Sequence, residues 1–151
     1  MKIGIGSDHN AIHLRNTIKN FVEELGHDVV IYNSEDNCNE IDYPGVAFEV
    51  AEAVFNKQIE RGILLCGTGL GMALAANKVP GIRAVTVHDV YSAERAQLSN
   101  NAQIITLGEK VIGTELAKYV VKTYLSNTFQ GGQSERKIQQ IMDKENQYLK
   151  Q

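Results

Sequence analysis

Short apolar runs alternate along this chain with longer stretches in which apolar residues return every three or four positions. Lys2 to Ser7 reads as a strand; Leu14, Ile18, Phe21, Val22 and Leu25 then fall at helical spacing until Gly26 ends the helix. The alternation repeats as strand Asp28 to Tyr32, helix Pro44 to Asn56 with its proline in the first turn, strand Gly62 to Leu65 and a short helix from Met72 to Asn77. It continues with strand Ala84 to Val87, helix Ser92 to Ser99 and strand Gln103 to Leu107. A last amphipathic helix, Thr114 to Leu125, carries Leu116, Ala117, Val120, Val121 and Tyr124 on one face. Strands joined through helices run parallel, and strands apolar on both faces are covered on both. The expected fold class is therefore α/β, a doubly wound α/β/α sandwich on a five-stranded parallel sheet.

After Phe129-Gln-Gly-Gly132 the pattern becomes a polar helix, Ser134 to Leu149, with a narrow stripe of Ile138, Ile141, Met142 and Leu149. It adds no strand. Such a stripe either packs on its own domain or serves as an arm in a helix–helix seam of a dimer. No repeat, low-complexity tract or linker divides residues 1–151, so one domain is expected.

Composition narrows the partners more than the fold. With 43% hydrophobic and 22% charged residues in 151, the chain can bury roughly 70% of its unfolded surface, and the core needs no disulfide or structural metal. Fifteen basic against 18 acidic residues leave a net charge of −3, so no basic footprint for nucleic acid or anionic lipid is present. Lys2, Asp8, Arg15 and Lys19 interrupt any signal-like segment, and no apolar run nears the roughly 20 residues that cross a bilayer. Two cysteines make no disulfide framework, and the expected setting is the cytoplasm with reduced thiols.

Ligands of open parallel sheets bind beyond the carboxyl ends of the strands, so the informative residues stand just after each strand. These are Ser7, Asp8, His9 and Asn10, then Cys66-Gly-Thr-Gly-Leu-Gly71, then His88 and Asp89, and finally Gly108-Glu-Lys110. The glycine loop is the strongest signal. Gly67, Gly69 and Gly71 let backbone N–H groups point inward ahead of a helix, where they can hold a phosphate or a developing oxyanion. Spacing excludes other loops: no Gly-Lys-Ser/Thr ending follows, and Met72 stands where a dinucleotide loop needs glycine and a cysteine-phosphatase loop needs arginine. Cys66 closes a buried strand. In that position it is either inert packing or, favoured as thiolate by the adjacent N–H groups, a usable base or nucleophile, with Thr68 able to donate a hydrogen bond beside it. Asp8 and His9 either cap the first helix or face a ligand. Cys38, in a polar loop, reads as a free surface thiol, and no metal-ligand spacing is present.

Read in order, Gly6-Ser-Asp-His9, Asp42-Tyr-Pro44, Cys66 to Gly71, Ala75-Ala-Asn-Lys78, Gly81-Ile-Arg-Ala84 and Gly131-Gly132 resemble the family of type B ribose-5-phosphate isomerase and the LacAB galactose-6-phosphate isomerase subunits. The resemblance spans nearly the whole chain. It implies a Rossmann-like domain in a homodimer or homotetramer whose sites are completed by the neighbouring subunit, and metal-free, cofactor-free interconversion of aldose and ketose sugar phosphates. It implies Cys66 as the base that moves a proton between C1 and C2, with Thr68 assisting and Gly67, Gly69, Leu70 and Gly71 holding the enediolate. It further implies that Asp8 and His9 contact the sugar or its phosphate, that Tyr43 borders the pocket and that Asn100 binds near the loop.

Other positions depart from the family pattern. Its ring-opening histidine is Ser99 here, and its phosphate-binding arginines match Lys110, Gln133 and Lys137, with Arg136 adjacent. An amide or a point charge recognises phosphate differently from a bidentate guanidinium, so the sugar is less constrained than the reaction. Ribose 5-phosphate is the leading substrate expectation; galactose 6-phosphate, allose 6-phosphate and a tetrose phosphate are alternatives. A second class of function is a catalytically silent partner subunit or sugar-phosphate binder, motivated by Ser99 and Gln133. A thiol hydrolase has little support, because no histidine has a sequence-evident pairing with Cys66.

Overall fold

Five parallel strands lie in the order β2-β1-β3-β5-β4, where β1 is Lys2–Ser7, β2 Asp28–Tyr32, β3 Arg61–Cys66, β4 Ala84–Thr86 and β5 Ile104–Gly108. The computed structural model describes residues 1–33 and 42–151, so the expectation for Cys38 lies outside the described residues. Side chains alternate across the sheet, and in β3 Ile63 and Leu65 face one core while Leu64 and Cys66 face the other. α1 (Ile12–Glu24), α4 (Val90–Leu98) and α5 (Thr114–Ser126) supply Leu14, Ala93 and Tyr124 to the first core; α2 (Tyr43–Phe55) and α3 (Leu70–Ala76) supply Val50 and Met72 to the second. The expected sandwich is therefore the observed fold. The sequence of crossovers reverses direction between β1 and β3, and a crevice opens at the carboxyl ends of neighbouring strands at such a point.

α2 approaches β1 closely. A Cβ added at Gly6 would lie 2.6 Å from Val46 Cγ1 and 3.2 Å from Val50 Cγ2. Alanine at Gly6 is expected to cost about 1–3 kcal/mol by overpacking, lowering the melting temperature by several degrees; an unchanged melt would contradict this packing.

The expected elements are present, with their ends shifted where local chemistry decides. Gly69, at φ +80°, turns the chain directly into α3, so Leu70 and Gly71 belong to the helix and not to the loop before it. α4 begins two residues earlier than expected, because Asp89 Oδ1 accepts the Ser92 N–H at 2.7 Å. An unexpected 3₁₀ turn, His9–Ala11, precedes α1. The last helix, α6 (Gln133–Leu149), is anchored on its own chain: Ile138 is buried, Glu145 Oε2 accepts the Gly81 N–H at 2.9 Å, and Arg83 Nη1 lies 3.2 Å from Met142 Sδ. Ile141 and Leu149 of the stripe stay exposed. No described helix is long and apolar enough to cross a membrane.

Candidate active site

The switch point is formed by the ends of β1, β3 and β5. The Asp8 N–H donates to Leu65 O, and Glu109 N–H and Lys110 N–H donate to Cys66 O and Gly67 O, so all three strand exits are tied together. Cys66 is 5% exposed, and its Sγ accepts the Gly69 N–H at 3.0 Å. Thr68 is exposed; its Oγ1 accepts the Leu70 N–H at 3.3 Å, which leaves its own hydrogen available to a ligand. Gly71 and Met72, in the first turn of α3, have no earlier helical carbonyl for their N–H groups, which are donors for a nearby oxyanion.

Asp8 caps the 3₁₀ turn, as the capping reading allowed: Oδ1 accepts Asn10 N–H at 2.9 Å, and Asn10 Nδ2 lies 3.3 Å from Oδ2. The carboxylate is buried and oriented; His9 beside it is exposed. A Cβ on Gly71 would meet the Tyr43 ring at 2.5 Å, so this aromatic lies over the start of α3. Lys110 Cδ and Asn10 Cβ come within 3.7 and 3.9 Å of the place a Gly67 Cβ would take, flanking the loop. Asp8, His9, Tyr43, Cys66, Gly67, Thr68, Gly69, Leu70, Gly71 and Lys110 thus share one edge of the sheet.

Ser99 and Asn100 do not join them within the chain. α4 runs back from the end of β4 to the start of β5, and Arg83, just before β4, donates from Nε to Asn100 O and from Nη2 to Asn101 O. The Ser99 hydroxyl accepts from Arg95 Nε at 2.8 Å. α6, with Gln133, Arg136 and Lys137 exposed on it, is anchored at this same opposite edge through Gly81 and Arg83. Strands of this length separate the two edges by roughly 15 Å.

Two features escaped the sequence reading. Asn10 orients Asp8, a role signalled only by its place two residues on. Thr106, a hydroxyl in an otherwise aliphatic buried strand, donates to Gly69 O at 2.7 Å. His88, noted from sequence, receives a structural role: its Nε2 accepts the Gly108 N–H at 2.8 Å, and burial holds its pKa below the usual 6.5 against the pull of Asp89. The neutral ring is the one the fold favours, so this contribution to stability is complete above about pH 6.5 and is lost as pH falls below it. His27, also held down by burial and by the Met1 ammonium, acts in the same direction. The melting temperature is expected to drop on acidification towards roughly pH 5, and less steeply in His88→Gln; identical slopes would remove His88 from the account. Among the described residues no His, Cys, Asp and Glu group is arranged to hold a metal.

A thiol, a hydroxyl and a tight glycine turn stand at the switch point of the doubly wound sheet, and the match to a family model and to relatives that are isomerases shows the class, an aldose–ketose isomerase of sugar phosphates. The chain belongs to the ribose/galactose isomerase family, whose model matches residues 3–141. The D-erythrulose-4-phosphate isomerase of Pectobacterium atrosepticum is 48% identical over 141 residues, covering 93% of each chain. The ribose-5-P isomerase B of Listeria innocua is 45% identical over 91% of this chain and 93% of its own. The solved structure of Clostridium thermocellum ribose-5-phosphate isomerase B superimposes with a TM-score of 0.94 at 43% identity, covering 98% of this chain and 99% of that one.

Proposed function

We propose that the chain interconverts ribose 5-phosphate and ribulose 5-phosphate through an enediolate, with Cys66 as the base. The observation that carries this is the Cys66 sulfur hydrogen-bonded by Gly69 N–H at the sheet's switch point. The thiolate removes the proton from C2 of the open-chain aldose, the electron pair forms the C1–C2 double bond, and the carbonyl oxygen becomes an oxyanion. Backbone N–H groups of the loop and of α3's first turn stabilise that charge, and the Thr68 hydroxyl moves a proton between the two substrate oxygens. Return of the carbon-bound proton from sulfur to C1 completes the ketose and regenerates the thiolate.

The site is completed, in this reading, across a two-fold homodimer. Asn100, Gln133, Arg136 and Lys137 sit too far from Cys66 in their own chain to touch the same small substrate, so they serve a neighbour's site together with Lys110. A self-complementary pairing that sets one edge against the other makes two such sites per dimer. The expected setting is the cytoplasm, where thiols stay reduced.

A second reading is favoured by Ser99. An alcohol is a poor proton donor for opening a sugar ring, and a tetrose 4-phosphate has its O4 esterified and cannot close the furanose ring at all. With relatives such as the Pectobacterium atrosepticum enzyme and D-erythrulose-4-phosphate isomerase 2 of Mycolicibacterium smegmatis at 48% and 44% identity, the four-carbon pair is the direct competitor. Measuring kcat/KM for ribose 5-phosphate and D-erythrulose 4-phosphate side by side decides between them. A ratio above about tenfold in kcat/KM, or 1.4 kcal/mol in transition-state binding, assigns the substrate; no turnover of either, nor of galactose 6-phosphate or allose 6-phosphate, by the homo-oligomer returns the chain to a silent sugar-phosphate binder.

A further inference from the structure

We propose that Thr106, backed by Thr86, is a positioning residue for the reaction: it pins the Gly69 carbonyl so that the Gly69 N–H stays aimed at the Cys66 sulfur. The proposal rests on the reading of Cys66 as the base.

Thr106 stands in β5 with no exposed surface, among Ile104, Ile105 and Leu107. A valine would fill that space and suit a strand equally, so a hydroxyl there has to be satisfied inside the protein. Its hydrogen goes to Gly69 O at 2.7 Å, and Thr86 Oγ1 lies 2.8 Å from Thr106 Oγ1 and 3.3 Å from the same carbonyl. A carbonyl has no hydrogen to offer. Thr106 therefore donates to it, while Thr86 donates to Thr106 or shares the carbonyl. The remaining contact to that oxygen is the first bond of α3, from Ala73 N–H at 3.2 Å.

The anchored residue is the pivot of the loop. Gly69 sits at φ +80°, and a Cβ there would lie 3.0–3.2 Å from the backbone of Leu107, so the turn rests directly on β5. Glycine at such a φ resists rotation less than any other residue, and the direction of its N–H depends on what holds its two peptide planes. One plane is held by the threonines and, more loosely, by the Ala73 N–H; the other donates to Sγ at 3.0 Å. Removing the hydroxyls leaves the first plane only the longer bond from the Ala73 N–H, and the donor that polarises the sulfur is aimed less firmly. The effect on catalysis passes through Gly69, since the hydrogen bonds of both threonines go to the Gly69 carbonyl and to each other and not to the sulfur.

Thr106→Val keeps shape and deletes the hydroxyl. With whichever of the two sugar phosphates is turned over faster, kcat is expected to fall about tenfold while KM stays within about twofold, because the lost interaction acts on the proton transfer and not on binding. The isotope effect on kcat with substrate deuterated at the transferred position is expected to grow, since proton transfer becomes more rate-limiting. A merely structural role lowers the active fraction and leaves that isotope effect unmoved. Thr106→Ser is expected to restore kcat. Wild-type kcat and isotope effect in Thr106→Val, with Cys66→Ala inactive, would overturn the anchor and leave the base assignment standing. Turnover retained by Cys66→Ala would overturn both. Should Thr106→Val fail to fold, Thr86→Val on the half-buried neighbouring strand carries the same test, and an unchanged kcat and isotope effect there likewise rejects the proposal.

Discussion

Alanine at Cys66 is expected to lower kcat by on the order of a thousandfold for either sugar phosphate, the usual scale for losing a general base. Among the described residues near Cys66, the Asp8 carboxylate is engaged by Asn10 and the His88 ring by the Gly108 N–H, so neither stands ready to replace the thiol. Serine in the same place is expected to be nearly as inactive, because an alcohol at neutral pH is a far weaker base than a thiol. The fold has little reason to change. Cys66 belongs to the same buried core as Leu64, Met72 and Val46, and losing one sulfur atom leaves a small cavity there. Ketose formation in a coupled or colorimetric assay, beside a thermal melt of each variant, gives the answer. Turnover within about tenfold of wild type in a folded Cys66→Ala would take the thiol out of the mechanism.

Mixing two inactive variants is expected to restore activity. If a site takes Cys66 from one chain and Arg136 and Lys137 from another, a Cys66→Ala chain and an Arg136→Ala, Lys137→Ala chain each lack a different half. Their hybrid dimer carries one doubly damaged site and one intact site. Random re-pairing makes half of the dimers hybrids, so about one quarter of the wild-type activity should return. That is a rise from near background for each variant alone. Exchange through mild denaturant or co-expression with two affinity tags supplies the hybrids. A mixture no more active than its parents would refute the shared site and require Lys110 alone to hold the phosphate. Either variant being fully active by itself would show that its residues are dispensable.

The parts of the site that were legible in sequence are those contiguous in the chain. Cys66 to Gly71 declared itself because three glycines between a buried strand and a helix are costly unless backbone N–H groups or a tight turn are needed there. Asp8 and His9 were visible as polar residues at a strand's exit, but the tie of Asp8 to Asn10 was not, since capping and ligand contact use the same residue types. Thr106 passed as an ordinary strand residue. Its partner Gly69 is 37 positions away, and no local pattern announces a hydrogen bond across a sheet. The C-terminal stripe was ambiguous for a related reason: Ile138 and Met142 dock on the chain's own edge while Ile141 and Leu149 do not, and periodicity cannot tell the two apart.

What the amino-acid order alone determined was the succession of strands and helices and the place of the glycine-rich turn after Cys66. Both follow from local energetics, the period at which apolar side chains must recur to be buried and the φ values that glycine permits. Only the tertiary structure decided that Ser99, Asn100 and α6 stand on the edge opposite Cys66. Strand order and crossover direction place each connection at one end of the sheet or the other, and residues close in the family's motif order are held a strand's length apart by the rigid sheet between them.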